Sequence, residues 1–243
     1  MLKLAPIVLF VYNRPRHTKT TIEYLKNNNL ANLSELFIFS DSSKTKVDKN
    51  KVNKVRSIIK NVSGFKRVEI IKRKKNYGLA KNIICGINKI FKTYKTAIIL
   101  EDDIETSKYF LRFMNKALLK YKKNPNIWHI SGWNYPIDQK TKRNIKDKVF
   151  FWRIMNCWGW ATWEDRWKFY KKNPNELIKN WNKEKIKRFN LEGNYDFWKQ
   201  VQNNYKKISN TWAIFWMTTI FEKNGYCLNP VSSYVFNSGN DNS

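Results

Sequence analysis

The sequence predicts an α/β fold in which a central, mostly parallel sheet is flanked by helices. Short apolar segments alternate with amphipathic segments over the first hundred residues, and the connections between them are short. This alternation is typical of parallel strands joined by crossover helices. The 243 residues include 42% hydrophobic and 16% aromatic residues, which is enough apolar material for a packed core. Intrinsic disorder is therefore excluded, because disordered chains are poor in aromatic residues.

Four strands and three helices are predicted in residues 1–105. The strands are continuous apolar runs, and the helices carry apolar residues at helical spacing. In chain order they are a strand over 6–12, a helix over 18–27, a strand over 36–39, a helix over 47–59, a strand over 68–71, a helix over 79–91 and a strand over 97–100. Parallel sheets bind ligands beyond the carboxyl ends of their strands. Polar residues at those ends are therefore candidates for a functional site.

The pattern changes after residue 105. No internal repeat and no Gly/Ser linker interrupts the chain, so we predict a single domain over 1–243 with two halves, 1–105 and 106–243. The second half is predicted to contain a helix over 107–121, a strand over 127–130, an exposed loop over 138–148, an aromatic-dense segment over 150–167, and helices near 174–188, 195–206 and 212–224.

The net charge of +28 results from 47 Lys and Arg against 19 Asp and Glu. An excess of this size is typical of proteins that bind nucleic acid or an anionic membrane surface. The basic residues are dispersed over 44–54, 66–75, 140–148 and 183–188, and they do not form one recognition element. We therefore expect an anionic membrane surface as a partner and no nucleic acid.

Cysteine usage and hydropathy indicate the compartment. Cys85, Cys157 and Cys227 lie far apart and show no metal-binding spacing, which favours reduced thiols in the cytosol, with a disulfide between two of them as the alternative. No apolar run approaches the roughly 18 residues needed to cross a bilayer. The apolar start of the chain lacks a cleavage site and is interpreted as a buried strand. The predicted location is cytoplasmic, with peripheral attachment to the inner face of the plasma membrane left open.

Three adjacent acids, Glu101, Asp102 and Asp103, follow the fourth predicted strand in a chain that is poor in acids. Adjacent carboxylates repel one another and are stabilised by a cation. Mg²⁺ and Mn²⁺ prefer oxygen ligands and are commonly held by one or two carboxylates together with phosphate oxygens. The alternative is a solvated acidic turn paired with nearby lysines.

The segment 98–105 resembles the acidic metal-binding motif of GT-A fold glycosyltransferases. It is most similar to the Glu-Asp-Asp form of N-acetylglucosaminyltransferase I and its bacterial relatives in polysaccharide gene clusters. Other pieces that match the family in the same order are residues 11–15, the Asp41 loop, and residues 76–82, 130–134 and 158–163. The resemblance implies a GT-A fold with a nucleotide-sugar-binding half over 1–105 and an acceptor-binding half over 106–243.

The resemblance also implies roles for individual residues of the first half. Glu101 is a candidate catalytic residue that would face ribose and sugar together with Asp102, and Asp103 would ligate the Mn²⁺ or Mg²⁺ that bridges the donor diphosphate. The helix start over 76–82 would attract donor phosphate. The residues expected to bind the donor are Tyr12, Asn13, Arg14, Asp41, Asn76, Lys81 and Asp102.

Aromatic side chains of the second half suit the apolar faces of sugar rings. We expect Trp133, Asn134 and Trp160 to contact acceptor or donor, whereas Trp163 and Trp167 are expected on the packed face of a helix. The alternative for all of these rings is burial in the core. His129 lies within an apolar strand pattern and is interpreted as a core residue with satisfied hydrogen bonds.

The catalytic base is where the sequence departs from the family. Inverting members carry an Asp directly after a Trp in a late helix, but here Trp212 is followed by Ala213. A base must reach the acceptor hydroxyl directly or through one water. Asp196 is the first candidate, and Glu164 and Asp165 are the alternatives. Inversion of stereochemistry is therefore expected from the resemblance alone.

The sequence thus predicts a metal-dependent glycosyltransferase. It would move a sugar from a nucleotide-diphosphate donor, a UDP-sugar by preference, to a glycan or lipid-linked glycan acceptor in bacterial surface polysaccharide or lipooligosaccharide assembly. The alternatives are a basic, aromatic-rich nucleic-acid binder and a catalytically degenerate sugar-nucleotide binder. Family members usually continue past a Gly/Asn/Ser loop such as 236–243, so a longer native chain is also expected.

Overall fold

The computed structural model describes residues 4–239 and 241. Its strands are β1 (Ile7–Val11), β2 (Glu35–Ser40), β3 (Arg67–Lys72), β4 (Thr96–Glu101), β5 (Ile104–Thr106), β6 (Ile127–Ser131), β7 (Val149–Trp152), β8 (Trp160–Trp163), β9 (Tyr226–Pro230) and β10 (Val235–Asn237). Its helices are α1 (Pro15–Lys26), α2 (Lys46–Lys60), α3 (Leu79–Ile90), α4 (Phe110–Lys120), α5 (Gln139–Asn144), α6 (Glu164–Trp167), α7 (Pro174–Asn180), α8 (Lys183–Phe189), α9 (Trp198–Tyr205) and α10 (Ala213–Glu222), with a 3-10 turn over Ala31–Leu33.

Eight of these strands form one sheet in the order β3-β2-β1-β4-β8-β6-β9-β7. Strands β3, β2, β1 and β4 are mutually parallel, and β8 is antiparallel to both of its neighbours. Strand β9 pairs parallel with β6 and antiparallel with β7. The sheet is continuous across residue 105, because β4 pairs with β8. The predicted α/β class, a mostly parallel sheet flanked by helices, is confirmed.

The core forms one layer on each face of the sheet. Successive side chains of a strand point to opposite faces, so β1 supplies both layers. Val8 and Phe10 pack with α3 and α10 on one face. Ile7 and Leu9 pack with α1 and α4 on the other. Burial on both faces explains why β1 is a continuous apolar run in the sequence.

A second, two-stranded sheet holds the end of the described chain against the acidic motif. Strands β5 and β10 are antiparallel, with Phe236 opposite Glu105 and Asn237 opposite Ile104. Strand β5 begins immediately after Asp103 in the sequence. Residues more than 130 positions apart are therefore neighbours here.

Several predicted elements differ from the structure. The first helix begins at Pro15, so Thr18 lies inside it and does not cap it. The predicted helix near 174–188 is two helices, because Trp181 is extended and Asn182 caps α8 by accepting a hydrogen bond from Lys185 N. The predicted exposed loop over 138–148 contains the short helix α5.

The aromatic-dense segment contains the largest difference. Residues Trp160–Trp163 form strand β8, fully buried in the middle of the sheet. Trp163 therefore ends a strand and does not lie on a packed helix face, whereas Trp167 does end the short helix α6. Among the described residues, no helix is both long enough and apolar enough to cross a bilayer.

Helix α3 approaches β1 closely through Gly86. A Cβ atom at this position would lie 2.5 Å from Cε1 of Phe10. We predict that Gly86→Ala lowers the free energy of unfolding by about 1–3 kcal/mol, since overpacking outweighs the better helix propensity of alanine. Urea unfolding measures this difference. Cys85→Ala, the adjacent position on the same helix, is the control and should cost less, and a more stable Gly86→Ala variant would contradict this packing.

Candidate functional site

Three strand ends meet at one edge of the sheet. The register places Phe10 of β1 opposite Glu101 of β4 and Val11 opposite Ser40 of β2. The residues that follow each strand therefore border a common crevice of about 450 Å³. Its lining residues are Phe10, Val11, Tyr12, Asn13, Arg14, Asp41, Lys44, Asn76, Gly78, Leu79, Asn82, Glu101, Asp102 and Asp103.

Asp102 joins the ends of β4 and β1. Its buried carboxylate accepts hydrogen bonds from Tyr12 N at 3.1 Å and from the Thr18 hydroxyl at 3.5 Å, and its backbone carbonyl accepts one from the Thr21 hydroxyl at 2.9 Å. Burial raises the pKa of this carboxyl to about 6, although the Tyr12 amide opposes the shift. The Asp102 carboxylate thus points towards α1 and links the ends of β4 and β1 at the crevice.

Asp103 is paired with the only crevice-lining arginine. Arg14 Nη1 donates to its Oδ2 at 3.0 Å, and Arg14 Nη2 donates to the carbonyl of Gly239 at 2.9 Å. Ser238 N also donates to the carbonyl of Asp103 at 3.0 Å. A Cβ atom at Gly239 would overlap the Asp103 carboxylate, so glycine alone fits this contact.

Glu101 carries the strongest electrostatic perturbation of the three acids. Burial, followed by the charges of Asp103 and Asp102, raises its pKa to about 8. Arg14 and a hydrogen bond from the indole of Trp212 oppose this shift without cancelling it. Glu101 is therefore largely protonated at neutral pH, and a cation bound beside the three acids would favour its ionised form.

Asp41 holds a turn and is not open to a ligand. Its carboxylate accepts hydrogen bonds from Ser42 N at 2.8 Å, Tyr77 N at 2.9 Å and Gly78 N at 2.9 Å, and the Asn76 amide lies 3.3 Å from it. Because these donors occupy the carboxylate, the geometry does not support the expected direct contact of Asp41 with ribose. Asp41 instead positions the turn before α3.

Gly78 at that turn precedes α3 with φ of +69°, the left-handed region that favours glycine. Asn76 reaches across the crevice edge to donate to the Ser42 carbonyl at 2.6 Å. Lys81, by contrast, is exposed on the first turn of α3, with its Nζ 5.1 Å from the centre of the Tyr77 ring. It does not line the crevice.

Asn13 and Tyr12 contact residues around the start of α2. The Asn13 amide donates to Asp48 Oδ1 at 2.9 Å, and Asp48 forms a capping box with Thr45 at the start of that helix. The Tyr12 hydroxyl accepts a hydrogen bond from Lys44 N at 3.0 Å. Both residues border the crevice, and both have structural partners there.

A row of aromatic rings, here called the aromatic wall, lies in the second half and consists of Trp133, Tyr135, Trp152 and Trp158. Trp133 makes edge contacts with Tyr135 and Trp158, at centroid distances of 4.8 and 4.7 Å. Tyr135 makes a similar contact with Trp152 at 5.9 Å. Trp133 is half-buried and Tyr135 exposed, so the wall presents aromatic surface to solvent.

The electrostatics place the aromatic wall beside the acidic motif. Cys157, next to Trp158 in the sequence, has its pKa raised to about 12 by burial and by the charges of Glu101 and Asp103. Cys157 also contributes to the raised pKa of Tyr135, for which burial is the main cause.

Two predicted contact residues are buried elsewhere. Trp160 is only 1% exposed, and its ring lies between those of Trp212 at 5.3 Å and His129 at 5.1 Å. The expected sugar contact of Trp160 is therefore corrected to a core position. Asn134 is buried, and its backbone N donates to Ser233 Oγ at 2.9 Å.

His129 is confirmed as a core residue. Burial lowers its pKa to about 3, its Nδ1 accepts from Trp216 Nε1 at 3.2 Å, and its Nε2 lies 3.0 Å from the Asn156 carbonyl. The three cysteines are all free thiols in the structure.

The candidate bases of the second half do not border the crevice. Asp196 is exposed before α9, where its carboxylate accepts from Lys199 N at 3.1 Å. Glu164 and Asp165 follow Trp163, which lies opposite Thr96 at the start of β4. Glu164 and Asp165 therefore lie near the amino-terminal end of β4, at the edge of the sheet opposite the crevice. This position contradicts their assignment as catalytic bases.

Sequence reasoning missed several neighbours of the acidic motif. Ser238 and Gly239 contact it only because β10 pairs with β5, and no local pattern indicates this long-range pairing. Trp212, which the sequence marks only by the Ala213 that follows it, is a neighbour of Glu101 and opposes the rise of its pKa. Lys44 and Asn82 also line the crevice.

A divalent cation fits the chemistry of this edge, although the acids point in different directions. No group of three or more His, Cys, Asp or Glu side chains in a metal-binding arrangement occurs within residues 4–239 and 241. Asp103 nevertheless supplies oxygen ligands of the kind that Mg²⁺ and Mn²⁺ prefer. A cation bound there would also lower the raised pKa of Glu101.

The sheet and its crevice define an α/β protein with a crevice at the carboxyl ends of parallel strands, which is where such folds commonly bind ligands. The sequence model described as the GNT-I family matches residues 1–191. The chain therefore belongs to the GNT-I family of GT-A glycosyltransferases, which confirms the class of enzyme and the fold family expected from the sequence. No curated protein matches the sequence.

Three solved structures match most of this chain at low sequence identity, each with a TM-score below 0.5. S. aureus TarS matches with a TM-score of 0.46 at 10% identity, over 96% of this chain and 36% of TarS. An active-site mutant of LgtC matches with a TM-score of 0.44 at 8% identity, over 88% of this chain and 70% of LgtC. The galactosyltransferase LgtC in complex with donor and acceptor sugar analogues matches with a TM-score of 0.44 at 7% identity and the same coverages. The chain thus spans about a third of the length of TarS.

The raised pKa of Glu101 predicts a pH-dependent stability. The folded protein binds this proton more tightly than the unfolded chain, so the metal-free protein loses stability as pH rises from about 5 to 8. Glu101→Gln removes this loss. We predict that the variant melts about 3 °C or more above the wild type at pH 8 and close to it at pH 5.

Thermal melts in EDTA at both pH values measure this effect. Glu184→Gln on the exposed surface of α8 is the control and should leave the melting temperature unchanged. A Glu101→Gln variant that is less stable than the wild type at pH 8 would show that the ionised carboxylate is compensated within the fold.

Proposed function

We propose that this protein is a metal-dependent glycosyltransferase that takes its sugar from a nucleotide-diphosphate donor, a UDP-sugar by preference. The observation that carries the proposal is the crevice in which the ends of β1, β2 and β4 bring Tyr12, Arg14, Glu101, Asp102 and Asp103 together. Its volume of about 450 Å³ is of the size that small-molecule sites have. Membership in the GNT-I family supplies the type of reaction.

The nucleotide end of the donor would lie between the ends of β1 and β2. Tyr12 and Asn13 border this region, and Asp41 with Asn76 holds the turn that closes it. The start of α3 beyond Gly78 offers backbone N–H groups to phosphate. Lys81 lies one turn further on and would approach a diphosphate only from outside the crevice.

The diphosphate would lie over Asp103 and Arg14. Asp103 is the residue we assign to hold Mn²⁺ or Mg²⁺, which when bound neutralises charge on the leaving diphosphate. Arg14 already lies 3.0 Å from Asp103 and can pair with phosphate oxygens at the same place. Asp102, tied to Tyr12 N, keeps the two strand ends in register for this contact.

The acceptor would bind against the aromatic wall. Trp133 and Tyr135 offer ring surface beside the acidic motif, whereas Asn134 contributes through its bonds to Ser233. Glu101 lines the crevice and is the candidate catalytic residue there. Asp196 stays a prediction as base, and with it the inversion of stereochemistry, because it does not line the crevice.

We also propose the acceptor and the cellular location of the reaction, on the basis of the composition and the family. The acceptor would be a glycan or lipid-linked glycan in bacterial surface polysaccharide or lipooligosaccharide assembly. The charge of +28 favours an anionic membrane surface as partner over nucleic acid. We therefore expect the enzyme in the cytoplasm, at the inner face of the plasma membrane.

Donor turnover tests the proposal. We predict that hydrolysis of the preferred nucleotide sugar needs Mn²⁺ or Mg²⁺, and that Asp103→Ala lowers its kcat/KM by about 100-fold or more. Glu105→Ala, the next acid of the same motif, is the matched control and should stay within about threefold of wild type. The assay uses a panel of nucleotide sugars with metal or with EDTA.

Two results would contradict this proposal. Metal-dependent turnover that is unchanged in Asp103→Ala would place the metal elsewhere. Donor binding without turnover in any metal would favour the degenerate sugar-nucleotide binder, for which Ala213 after Trp212 is the supporting observation.

A further inference from the structure

Helix α4 carries a row of cations along one face. Arg112, Lys116 and Lys120 are spaced four residues apart, and Lys108 continues the same spacing before the helix begins. Side chains four residues apart lie one above another on a helix, where like charges destabilise it. All four side chains are exposed. A row that weakens its own helix indicates a partner of opposite charge.

No acid of the protein neutralises this row. The sequence contains no Asp or Glu between Glu105 and Asp138. None of the four cations forms an ion pair with another residue in the described part of the chain. Elsewhere on the surface, cations such as Lys95 and Lys185 do pair with acids.

An apolar groove of about 420 Å³ runs beside the row. Phe113 and Tyr234 stack in its floor with their ring centres 4.4 Å apart. Ala117, Val149 and Leu228 extend the floor between α4 and strands β7 and β9. The cations at its rim are Arg112, Lys116, Lys120 and Lys148.

We propose that this groove and the cation row of α4 form the face that docks on an anionic phospholipid bilayer, with one lipid seated in the groove. Headgroup phosphates would pair with the rim cations while an acyl chain lies on the apolar floor. The proposal deepens the proposed function by assigning the docking face of its membrane partner. It rests on the proposed function only for the purpose that docking would serve.

Apolar side chains beside the cations favour lipid over nucleic acid. Leu119 of α4, Tyr109 and Phe151 are 54%, 47% and 47% exposed. Side chains of this kind insert at a membrane interface next to lysine and arginine. In the floor, Phe113 and Tyr234 stack on each other, so those ring faces are not free to stack on bases.

The groove is also connected to the candidate active site. Tyr234 in its floor directly precedes β10, and Val235 of β10 pairs with Thr106 of β5. Strand β5 begins after Asp103. A membrane bound at this face would therefore hold lipid-linked acceptors close to the crevice.

Vesicle flotation tests the proposal on the full chain. The vesicles contain phosphatidylcholine alone or equal parts of phosphatidylcholine and phosphatidylglycerol. The variant is Arg112→Glu with Lys116→Glu. The matched control is Lys183→Glu with Lys187→Glu, which makes the same change of charge at the same spacing on α8, a helix whose Phe189 packs against the other face of the sheet. If the Arg112→Glu, Lys116→Glu variant fails to fold, Arg112→Gln with Lys116→Gln is used in its place.

We expect the wild type to float only with the anionic vesicles. The α4 variant should lose about tenfold or more of its vesicle affinity, while the α8 control stays within about twofold. Donor hydrolysis in solution should be the same in both variants, so failure of docking and failure of glycosyl transfer are read separately. Leu119→Ser should also weaken flotation with all charges intact.

Three results would overturn the proposal. An equal loss of vesicle affinity in the α4 and α8 variants would show that binding depends on net charge and not on this face. Absence of wild-type flotation with the anionic vesicles would exclude the bilayer as the partner. Tight binding of a single-stranded oligonucleotide that only the α4 variant loses, without vesicle binding, would assign the face to nucleic acid.

Discussion

The parallel register of β2, β1 and β4 is the constraint on which the rest of the site depends. It delivers three polar strand ends to one edge, where side chains and backbone groups from distant parts of the sequence must satisfy one another. Asp102 does so by accepting the Tyr12 amide, and Asp103 does so through Arg14. Burial, followed by the charges of Asp103 and Asp102, raises the pKa of Glu101 to about 8 although Arg14 opposes the shift. The fold thus creates an acidic edge at which a bound cation would be stabilised.

The two halves of the chain contribute different side chains to this region. The first half contributes the acids and the turn held by Asp41. The second half contributes the aromatic wall, in which Trp158 follows Cys157, a thiol whose pKa is raised by burial and by the charges of Glu101 and Asp103. Ala213 follows Trp212, where the resemblance implies an acid. Glu101, a neighbour of that same Trp212, is the acid that we propose for the catalytic role in the crevice.

The sequence predicted most of the parallel sheet, because burial on both faces makes β1, β2 and β4 largely continuous apolar runs. It also placed the acidic triplet at a strand end, since that position depends only on local pattern. Strand β8 was not predicted, because aromatic residues at Trp160 and Trp163 suit a strand, a helix or a sugar site equally. The contacts of Gly239 with Arg14 depend on pairing across the whole chain, and no local signal reports them. Side-chain direction likewise follows from packing, so the occupied carboxylate of Asp41 could not be foreseen.

Hydrogen–deuterium exchange with and without a nucleotide-diphosphate sugar and Mn²⁺ measures the central claim most directly. If the donor binds across the three strand ends, backbone amides of residues 12–14, 76–79 and 101–103 become protected together. Amides at the opposite edge, such as residues 93–96 before and at the start of β4, should exchange unchanged. Protection at that opposite edge, or at the α4 groove alone, would contradict the assignment of the crevice as the donor site.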